Sequence, residues 1–425
     1  MKYSLTRLPS KLSLLTVPMP ASESATLTVW VKTGSRNEQK DKLGISHFLE
    51  HMVFKGSKKF PTMKQLFEAF DEMGAEHNAG TTKEWTNFYV KLPVTDIERG
   101  FEILSDVVIN PLLDAEELKK ERNVIFEEMK MIEDMPMRNI GDIFEELIYK
   151  GSTLAEDIIG NHESMNSITH QDFLDYRKVH YHADNILISV AGGVKPKKIS
   201  ELSEKYFADI DPTSTTFKGL SFKDEQDSPQ VKIKEKKTDQ AHLILGFKSE
   251  GRGYEGKFIQ AVLSGILGGG ASSRLWTEVR EKRGLAYAVS GSMDRYSDVG
   301  YFGVYAGTDI EKSYEAIKVI LDQCYGIADK SIRITDKELK KVKGFLKGHV
   351  ALQLEDSNFA NDFFSEQALF DKQVYTPEEI FAKVDAVTAD QVYAEAAKLF
   401  QRSRLSLAII GPFKEKEKFV GIINK

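Results

Sequence analysis

The residues best suited to chemistry are His47, Glu50 and His51, which lie together in the pentad HFLEH. If residues 44–57 form a helix, the two imidazoles are one turn apart and can reach a single metal ion. Glu50 falls near the same face, where it can act as a general base towards a water molecule. Neutral nitrogen ligands and a general base are the groups that a zinc hydrolase requires. The alternative interpretation is a histidine-rich surface helix.

A third metal ligand is expected from elsewhere in the chain, and residues 114–132 are the best candidate segment. They predict a helix with Asp114 as its N-cap. The inward face of this helix repeats at steps of three and four residues: Leu118, Glu121, Ile125, Glu128 and Ile132. A buried carboxylate is costly without a partner, so either glutamate could bind the metal. The spacing along the helix does not show which of the two glutamates binds the metal. In the alternative interpretation, neither binds a metal and both form salt bridges with a buried arginine.

The segment GISHFLEHMVFKGS at residues 44–57 resembles the signature of the pitrilysin-type (M16) metallopeptidases, whose H-x-x-E-H order inverts the commoner H-E-x-x-H. In that family the third ligand is a glutamate at a characteristic distance downstream of the second histidine, a position that Glu128 occupies here. The resemblance therefore implies His47, His51 and Glu128 as zinc ligands and Glu50 as the general base. It also implies that Glu121 supports the ligands from behind.

Composition limits the other classes of function. The chain has 425 residues, 41% of them hydrophobic, and a net charge of −6, which argues against a nucleic-acid-binding protein. Its single cysteine, Cys324, excludes an internal disulfide framework and is interpreted as a core residue. The N-terminal segment MKYSLTRLPSKLSLLTVPMP lacks the apolar core of a signal peptide, and no apolar run predicts a membrane span. We expect a cytoplasmic protein.

The chain repeats itself. Three pairs of segments match at a nearly constant spacing along the sequence: 25–32 with 241–248, 95–104 with 308–317, and 168–172 with 387–391. We therefore predict two tandem α+β units, a zinc-binding domain at 1–211 and an inactive domain at 231–425, joined by a linker at 212–230. The resemblance implies that each unit is an antiparallel sheet packed with helices and that together they form half of a clamshell.

The second copy lacks the metal ligands. When the two copies are aligned on the first of these pairs, the pentad falls on a segment that has Leu263, Ile266 and Leu267 at the three chemical positions. Because aliphatic side chains cannot bind zinc, this helix is predicted only to pack.

The resemblance implies further site residues in both halves. Asn78 and Ala79 match the family's substrate edge, where an extended peptide adds to a sheet, although Asn78 alone would suggest a turn. Arg280 and Tyr287 match a pair in the other half that contacts the substrate carbonyl, and Tyr287 could donate to an oxyanion. The alternative for Tyr287 is a tyrosine packed behind a helix. His77 lacks ligand spacing and is interpreted as structural or surface.

Together with these residues, the family resemblance implies a zinc-dependent endopeptidase that hydrolyses peptides or unstructured segments in an enclosed chamber, with one Zn²⁺ per chain. The resemblance implies a homodimer, or a heterodimer with a related subunit, because short family members need two chains to close the chamber. No nucleic acid or membrane partner is expected. The alternatives are a catalytically silent scaffold or partner subunit, and a zinc-storage or zinc-sensing protein.

Overall fold

The fold is that of a computed structural model, which describes residues 1–212 and 221–424. The strands of this part of the chain are β1 (Ser4–Arg7), β2 (Ser13–Pro18), β3 (Ser24–Val31), β4 (Glu76–Thr81), β5 (Thr86–Pro93), β6 (Ile186–Gly192), β7 (Gln230–Glu235), β8 (Ala241–Glu250), β9 (Ala286–Arg295), β10 (Val299–Thr308) and β11 (Leu405–Gly411). The helices are α1 (Ile45–Val53), α2 (Met63–Asp71), α3 (Ile97–Ile109), α4 (Ala115–Asp134), α5 (Pro136–Ile148), α6 (His162–Ser167), α7 (His170–His180), α8 (Pro196–Phe207), α9 (Lys257–Gly268), α10 (Ser313–Ala328), α11 (Asp336–Gln353), α12 (Ser357–Phe370), α13 (Pro377–Ala386), α14 (Ala389–Leu399) and α15 (Lys416–Ile423).

The first unit is built on a six-stranded sheet with the order β1-β2-β6-β3-β5-β4. Its neighbouring strands are antiparallel except for β2 and β6. Strands β3 and β6 are buried along almost their whole length, because helices pack on them. Strand β4 ends the sheet, so one of its sides is an edge.

The second unit repeats this plan in a five-stranded sheet with the order β7-β11-β8-β10-β9. Only β7 and β11 are parallel. The α+β class and the two repeated units are confirmed, while the expectation of antiparallel sheets is corrected by one parallel pair in each. In each parallel pair, the two strands are far apart in the sequence. The local sequence pattern of a strand does not show which distant strand it pairs with, so this pairing was not predicted.

The repeated segments occupy equivalent places in the two units. Thr169 caps α7 and exchanges hydrogen bonds with Asp172, and Thr388 caps α14 in the same way with Gln391. These reciprocal capping boxes explain why the two segments look alike in sequence. The predicted core position of Cys324 is confirmed, since it is fully buried in α10.

Each compact unit includes one helix from the other half of the sequence. Unit 1 contains Met1–Lys130, the described part of Ser152–Leu220, and Leu352–Thr376; unit 2 contains Met131–Gly151, Ser221–Ala351 and Pro377–Lys425. Helix α12 therefore packs on the first sheet, where Asn361 Nδ2 donates to Thr26 O at 3.0 Å. Helix α5 packs on the second sheet.

Because each compact unit includes a segment from the other half of the chain, the units differ from the predicted contiguous domains at 1–211 and 231–425. The predicted boundaries follow the duplication in the sequence, and they stay a prediction. Residues 213–220 of the predicted linker lie outside the described part of the chain. None of the helices in residues 1–212 and 221–424 combines the length and apolar character that a membrane span needs.

Candidate metal centre

Helix α1 carries the three residues of the pentad that could do chemistry. The rings of His47 and His51 are adjacent, with centroids 4.5 Å apart and planes tilted by 59°. The opposite face of α1 is anchored in the core, where Phe48 and Met52 are fully buried and the Phe48 ring packs edge-on against Phe173. Because this anchor fixes the rotation of the helix, α1 is not a histidine-rich surface helix.

Helix α4 brings the third candidate ligand to the two histidines. Asp114 Oδ1 caps this helix by accepting the N–H of Glu116 at 2.8 Å and of Glu117 at 3.1 Å, so the predicted cap is confirmed. Farther along α4, Glu128 Oε2 lies 3.7 Å from His47 Nε2 and 3.8 Å from His51 Nε2.

The donor set fits a zinc ion. One potential ligand atom from each of His47, His51 and Glu128 lies within 4.8 Å of the others. Two imidazole nitrogens and one carboxylate are the protein ligands of many catalytic zinc sites, which keep a further position open. The structure thus brings together the three residues that the family resemblance implies as ligands, and their role as ligands stays a prediction.

The second inward glutamate of α4, Glu121, forms a hydrogen bond with the His51 nitrogen that does not face Glu128. Glu121 Oε1 lies 2.9 Å from His51 Nδ1, and Glu121 Oε2 lies 2.5 Å from Lys55 Nζ. Burial raises the pKa of Glu121, but the hydrogen bonds from His51 and Lys55 outweigh it and hold this pKa below its usual range. An ionised Glu121 only accepts, so His51 Nδ1 is the donor of this hydrogen bond, and in the neutral imidazole Nε2 has the lone pair that a metal ion needs.

Charge around His51 alters its proton affinity. Burial lowers the pKa of His51, but the hydrogen bond to Glu121 and the charges of Glu50, Glu121 and Glu128 together raise it.

The cation that forms an ion pair with Glu121 is Lys55, which the sequence analysis did not predict. The partner is therefore a lysine from the segment after α1, rather than the buried arginine of the alternative interpretation.

Glu50 is held beside the ligands by the sheet edge. Thr81 Oγ1, at the end of β4, donates a short hydrogen bond to Glu50 Oε2. Burial raises the pKa of Glu50, and the charge of Glu128 adds to this, while Thr81 and His51 oppose it. Thr81 was not anticipated, because no local pattern links it to the pentad.

A pocket of about 240 Å³ adjoins the candidate metal centre. Its lining combines groups of the centre with apolar side chains: Glu50, His51, Phe54, Lys55, Met63, Phe67, His77, Asn78, Ala79 and Glu121. His77 stacks on Phe70 with ring centroids 4.2 Å apart, and burial lowers its pKa, which favours the neutral imidazole. The interpretation of His77 as only structural or surface therefore omitted its place in the pocket wall.

Asn78 and Ala79 lie in β4, at the edge of the first sheet, so Asn78 is a strand residue and not a turn residue. Asn78 Oδ1 accepts the N–H of Ala79 at 2.9 Å. A peptide carbonyl that accepted a hydrogen bond from the Ala79 N–H would have to displace the Asn78 side-chain oxygen. Their role in substrate binding stays a prediction.

Arg280 and Tyr287 belong to unit 2, whereas the metal-ligand candidates belong to unit 1. The Arg280 guanidinium lies 4.0 Å from the centroid of the Trp276 ring and 5.4 Å from that of Tyr287. Tyr287 is 73% exposed, so it is not packed behind a helix. Its phenol is accessible, and the predicted contact with a substrate stays a prediction.

The unit 2 helix that corresponds to α1 carries no ligands. Helix α9 has Leu263, Ile266 and Leu267 at the equivalent positions, and these side chains are buried. The expectation that this helix only packs agrees with their burial.

We expect Glu121→Ala to weaken zinc binding by about 10–100-fold, the usual effect of removing the hydrogen-bond partner of a metal-binding histidine. Without Glu121, the His51 ring loses the acceptor that fixes its tautomer and orientation. Competition with a chromogenic chelator measures the change, and Glu117→Ala, which removes a half-buried carboxylate paired with Lys120 in the first turn of the same helix, is the control. Equal affinities in the two variants would contradict the supporting role of Glu121.

Comparisons with known proteins identify the family of the chain. A family profile described as insulinase (peptidase family M16) matches residues 14–162, and one described as the peptidase M16 inactive domain matches residues 167–346. The second match includes α9, which has no metal-binding side chains at the equivalent positions.

Relatives of similar length match along most of the chain. A protein of Bacillus subtilis described as uncharacterized zinc protease YmxG is 34% identical over 92% of this chain and 94% of its own. An uncharacterized zinc protease of Streptomyces coelicolor is 32% identical, over 97% of this chain and 90% of its own.

A solved structure supports the fold. The crystal structure of a protease from Helicobacter pylori superposes with a TM-score of 0.91 at 22% identity and covers 97% of this chain and all of that one. The profile matches and the relatives identify the chain as a member of the M16 (insulinase) peptidase family.

Proposed function

We propose that this chain is a zinc-dependent endopeptidase that hydrolyses peptides or unstructured segments. The observation that carries the proposal is the convergence of His47, His51 and Glu128 from two helices, with Glu50 beside them and a pocket next to the group. Related proteins that are described as zinc proteases support it.

Three side chains would hold the ion: His47 and His51 through Nε2, and Glu128 through a carboxylate oxygen. A bound zinc ion supplies Lewis acidity, which lowers the pKa of a water molecule and polarises a carbonyl group. Glu121 keeps the His51 ring in the tautomer that leaves Nε2 free for this role.

Glu50 would move the proton. Its carboxylate takes a proton from the attacking water and later delivers it to the leaving amine, as a general base and then a general acid. Thr81 holds one carboxylate oxygen, which limits the rotation of Glu50 and leaves the other oxygen for the proton.

The peptide would lie along β4. An extended segment can add to the edge of a sheet through main-chain hydrogen bonds, and adjacent pockets then receive its side chains. The pocket wall formed by Phe54, Met63 and Phe67 suits an apolar side chain near the scissile bond. Asn78 and Ala79 would contribute backbone groups at this edge.

Other parts of the proposal concern unit 2 and a partner chain. Arg280 and Tyr287 would contact the substrate carbonyl, with the Tyr287 phenol donating to developing negative charge. A homodimer, or a heterodimer with a related subunit, would complete the chamber. These assignments rest on the family resemblance.

The test is chelator-sensitive cleavage of an unstructured peptide by the purified chain. We expect hydrolysis that stops when zinc is removed and returns when stoichiometric zinc is added, because Glu50 alone cannot activate water sufficiently. Mass spectrometry of the products gives the cleavage sites. Zinc binding without cleavage, alone or after mixing with a related subunit, would instead favour a silent or zinc-storing protein.

A further inference from the structure

The start of α1 is capped from a distance. Glu38, which precedes the helix N-cap Gly44 in the chain, accepts the N–H of Gly44 at 2.7 Å through Oε2 and the N–H of Ser46 at 2.8 Å through Oε1. The Glu38 residue is only 4% exposed. One carboxylate thus satisfies two of the backbone donors that a helix start leaves without partners inside the helix.

Packing explains why the N-cap residue does not perform this task itself. Gly44 has a φ of +89°, and a Cβ added there would lie 2.5 Å from the backbone oxygen of Ile159. A serine, threonine or aspartate, the usual capping residues, therefore does not fit at this position. Because position 44 must be glycine, the capping oxygen has to come from another residue.

A buried network of hydroxyl groups extends this cap into the core. Ser46 Oγ lies 2.7 Å from Tyr176 OH, which lies 3.3 Å from Thr33 Oγ1, and Thr33 Oγ1 lies 3.2 Å from His180 Nδ1. All four residues are buried. The network joins the first turn of α1 to α7 and to the segment that follows the end of β3.

A carboxylate occupies this position in spite of its burial. Burial raises the pKa of Glu38 to about 7, although hydrogen bonds from Ser46 and Gly44 and the charge of Lys83 oppose this rise. The positive end of the helix dipole also favours a negative charge at this point. A buried acid is costly, so its presence here indicates a task beyond filling space.

The capped turn is the one that carries His47, the third residue of α1. Helix ends fray unless their backbone donors are satisfied. Fraying of this turn would move His47 relative to His51 and Glu128, because His51 is held by the last turn of α1 and Glu128 by α4. A displacement of one ligand is enough to weaken a metal site, which depends on geometry.

We propose that Glu38 is a positioning residue of the metal centre, which holds the first turn of α1 and thereby His47 at the distance that zinc binding requires. This inference rests on the proposed function, to which it adds a residue that touches neither metal nor substrate. In Glu38→Gln, the amide oxygen can accept one N–H, but the amide nitrogen is a donor that faces the other N–H.

The experiment compares zinc affinity in the wild type, Glu38→Gln and Asp106→Asn. Asp106 is a matched control in unit 1: it is 3% exposed and accepts the N–H of Lys59 at 2.7 Å, but it makes no contact with α1 through this bond. We expect Glu38→Gln to weaken zinc binding by about tenfold and Asp106→Asn to leave it unchanged. Competition with a chromogenic chelator gives the constants.

Hydrogen exchange of the zinc-free proteins is the second readout. We expect the amides of residues 45–48 to exchange roughly 2–30-fold faster in Glu38→Gln, the factor for a lost helix cap, while other helices of unit 1 keep their protection. A merely structural role would instead accelerate exchange throughout the unit. If Glu38→Gln does not fold, Glu38→Asp, which keeps the charge on a shorter side chain, should change both readouts in the same direction.

Equal zinc affinity in the wild type and Glu38→Gln, or an equal loss in Asp106→Asn, would overturn the inference. A wild type that binds zinc in a Glu38-dependent manner but cleaves no peptide would contradict the proposed function and leave the role of Glu38 intact. The two failures are therefore distinguishable.

Discussion

Glu50→Gln is expected to retain zinc and to lower the rate of peptide hydrolysis by roughly 10²–10⁴-fold, the usual contribution of a general base. Glutamine has the same shape and can still accept the hydrogen bond from Thr81, so the surroundings of residue 50 stay intact. It cannot take a proton from water, and the candidate ligands His47, His51 and Glu128 are unchanged. Metal analysis and the rate of cleavage of a fluorogenic peptide measure the two properties on the same sample.

A suitable control for Glu50→Gln is Glu127→Gln, which removes a carboxylate from the exposed face of α4, where Glu127 pairs with Lys130. We expect this control to cleave peptide at the wild-type rate. Normal cleavage by Glu50→Gln would exclude Glu50 as the general base. Loss of zinc from Glu50→Gln would instead mean that this residue is needed for metal binding.

Glu128→Ala should abolish stoichiometric zinc binding and hydrolysis together. The substitution removes the ligand that faces both histidines, so the loss in zinc affinity should exceed the about 10–100-fold expected for Glu121→Ala, which acts only through His51. The measurement is the zinc content after gel filtration, followed by titration with zinc and assay at each concentration.

Glu127→Ala is the matched control for Glu128→Ala. The two residues are adjacent in α4, but the Glu127 side chain is 72% exposed and Glu128 is 23% exposed and faces the histidines. We expect Glu127→Ala to bind zinc like the wild type. If Glu128→Ala retained one tightly bound zinc ion, the third ligand would have to be sought elsewhere, and Glu121 would be the next candidate.

The local features of the site could be predicted from the sequence. The pentad indicated α1 because helical spacing aligns its histidines, and the stripe on residues 114–132 indicated α4 together with its Asp114 cap. Periodicity alone left Glu121 and Glu128 as equal candidates. The family resemblance favoured Glu128, and the structure places this residue, and not Glu121, against the Nε2 atoms of both histidines.

Other neighbours of the site could not be predicted, because they come from distant or irregular segments. Thr81 reaches Glu50 from the end of β4, and Glu38 reaches α1 from a segment without a regular pattern. His77 lacked ligand spacing and was therefore interpreted as structural or surface, but the packing of β4 beside α1 makes it part of the pocket wall.

The chemical groups of the site and the helices that carry them could be predicted from the order of residues, because helical periodicity and capping depend on residues only a few positions apart. The order of residues also determined the duplication, since the two copies retain matching caps and strands. The folded chain was needed to show which residue caps α1, that α5 and α12 each pack on the sheet of the other half, and how Glu128 faces both histidines. These outcomes depend on contacts between segments far apart in the chain, which local sequence patterns do not encode.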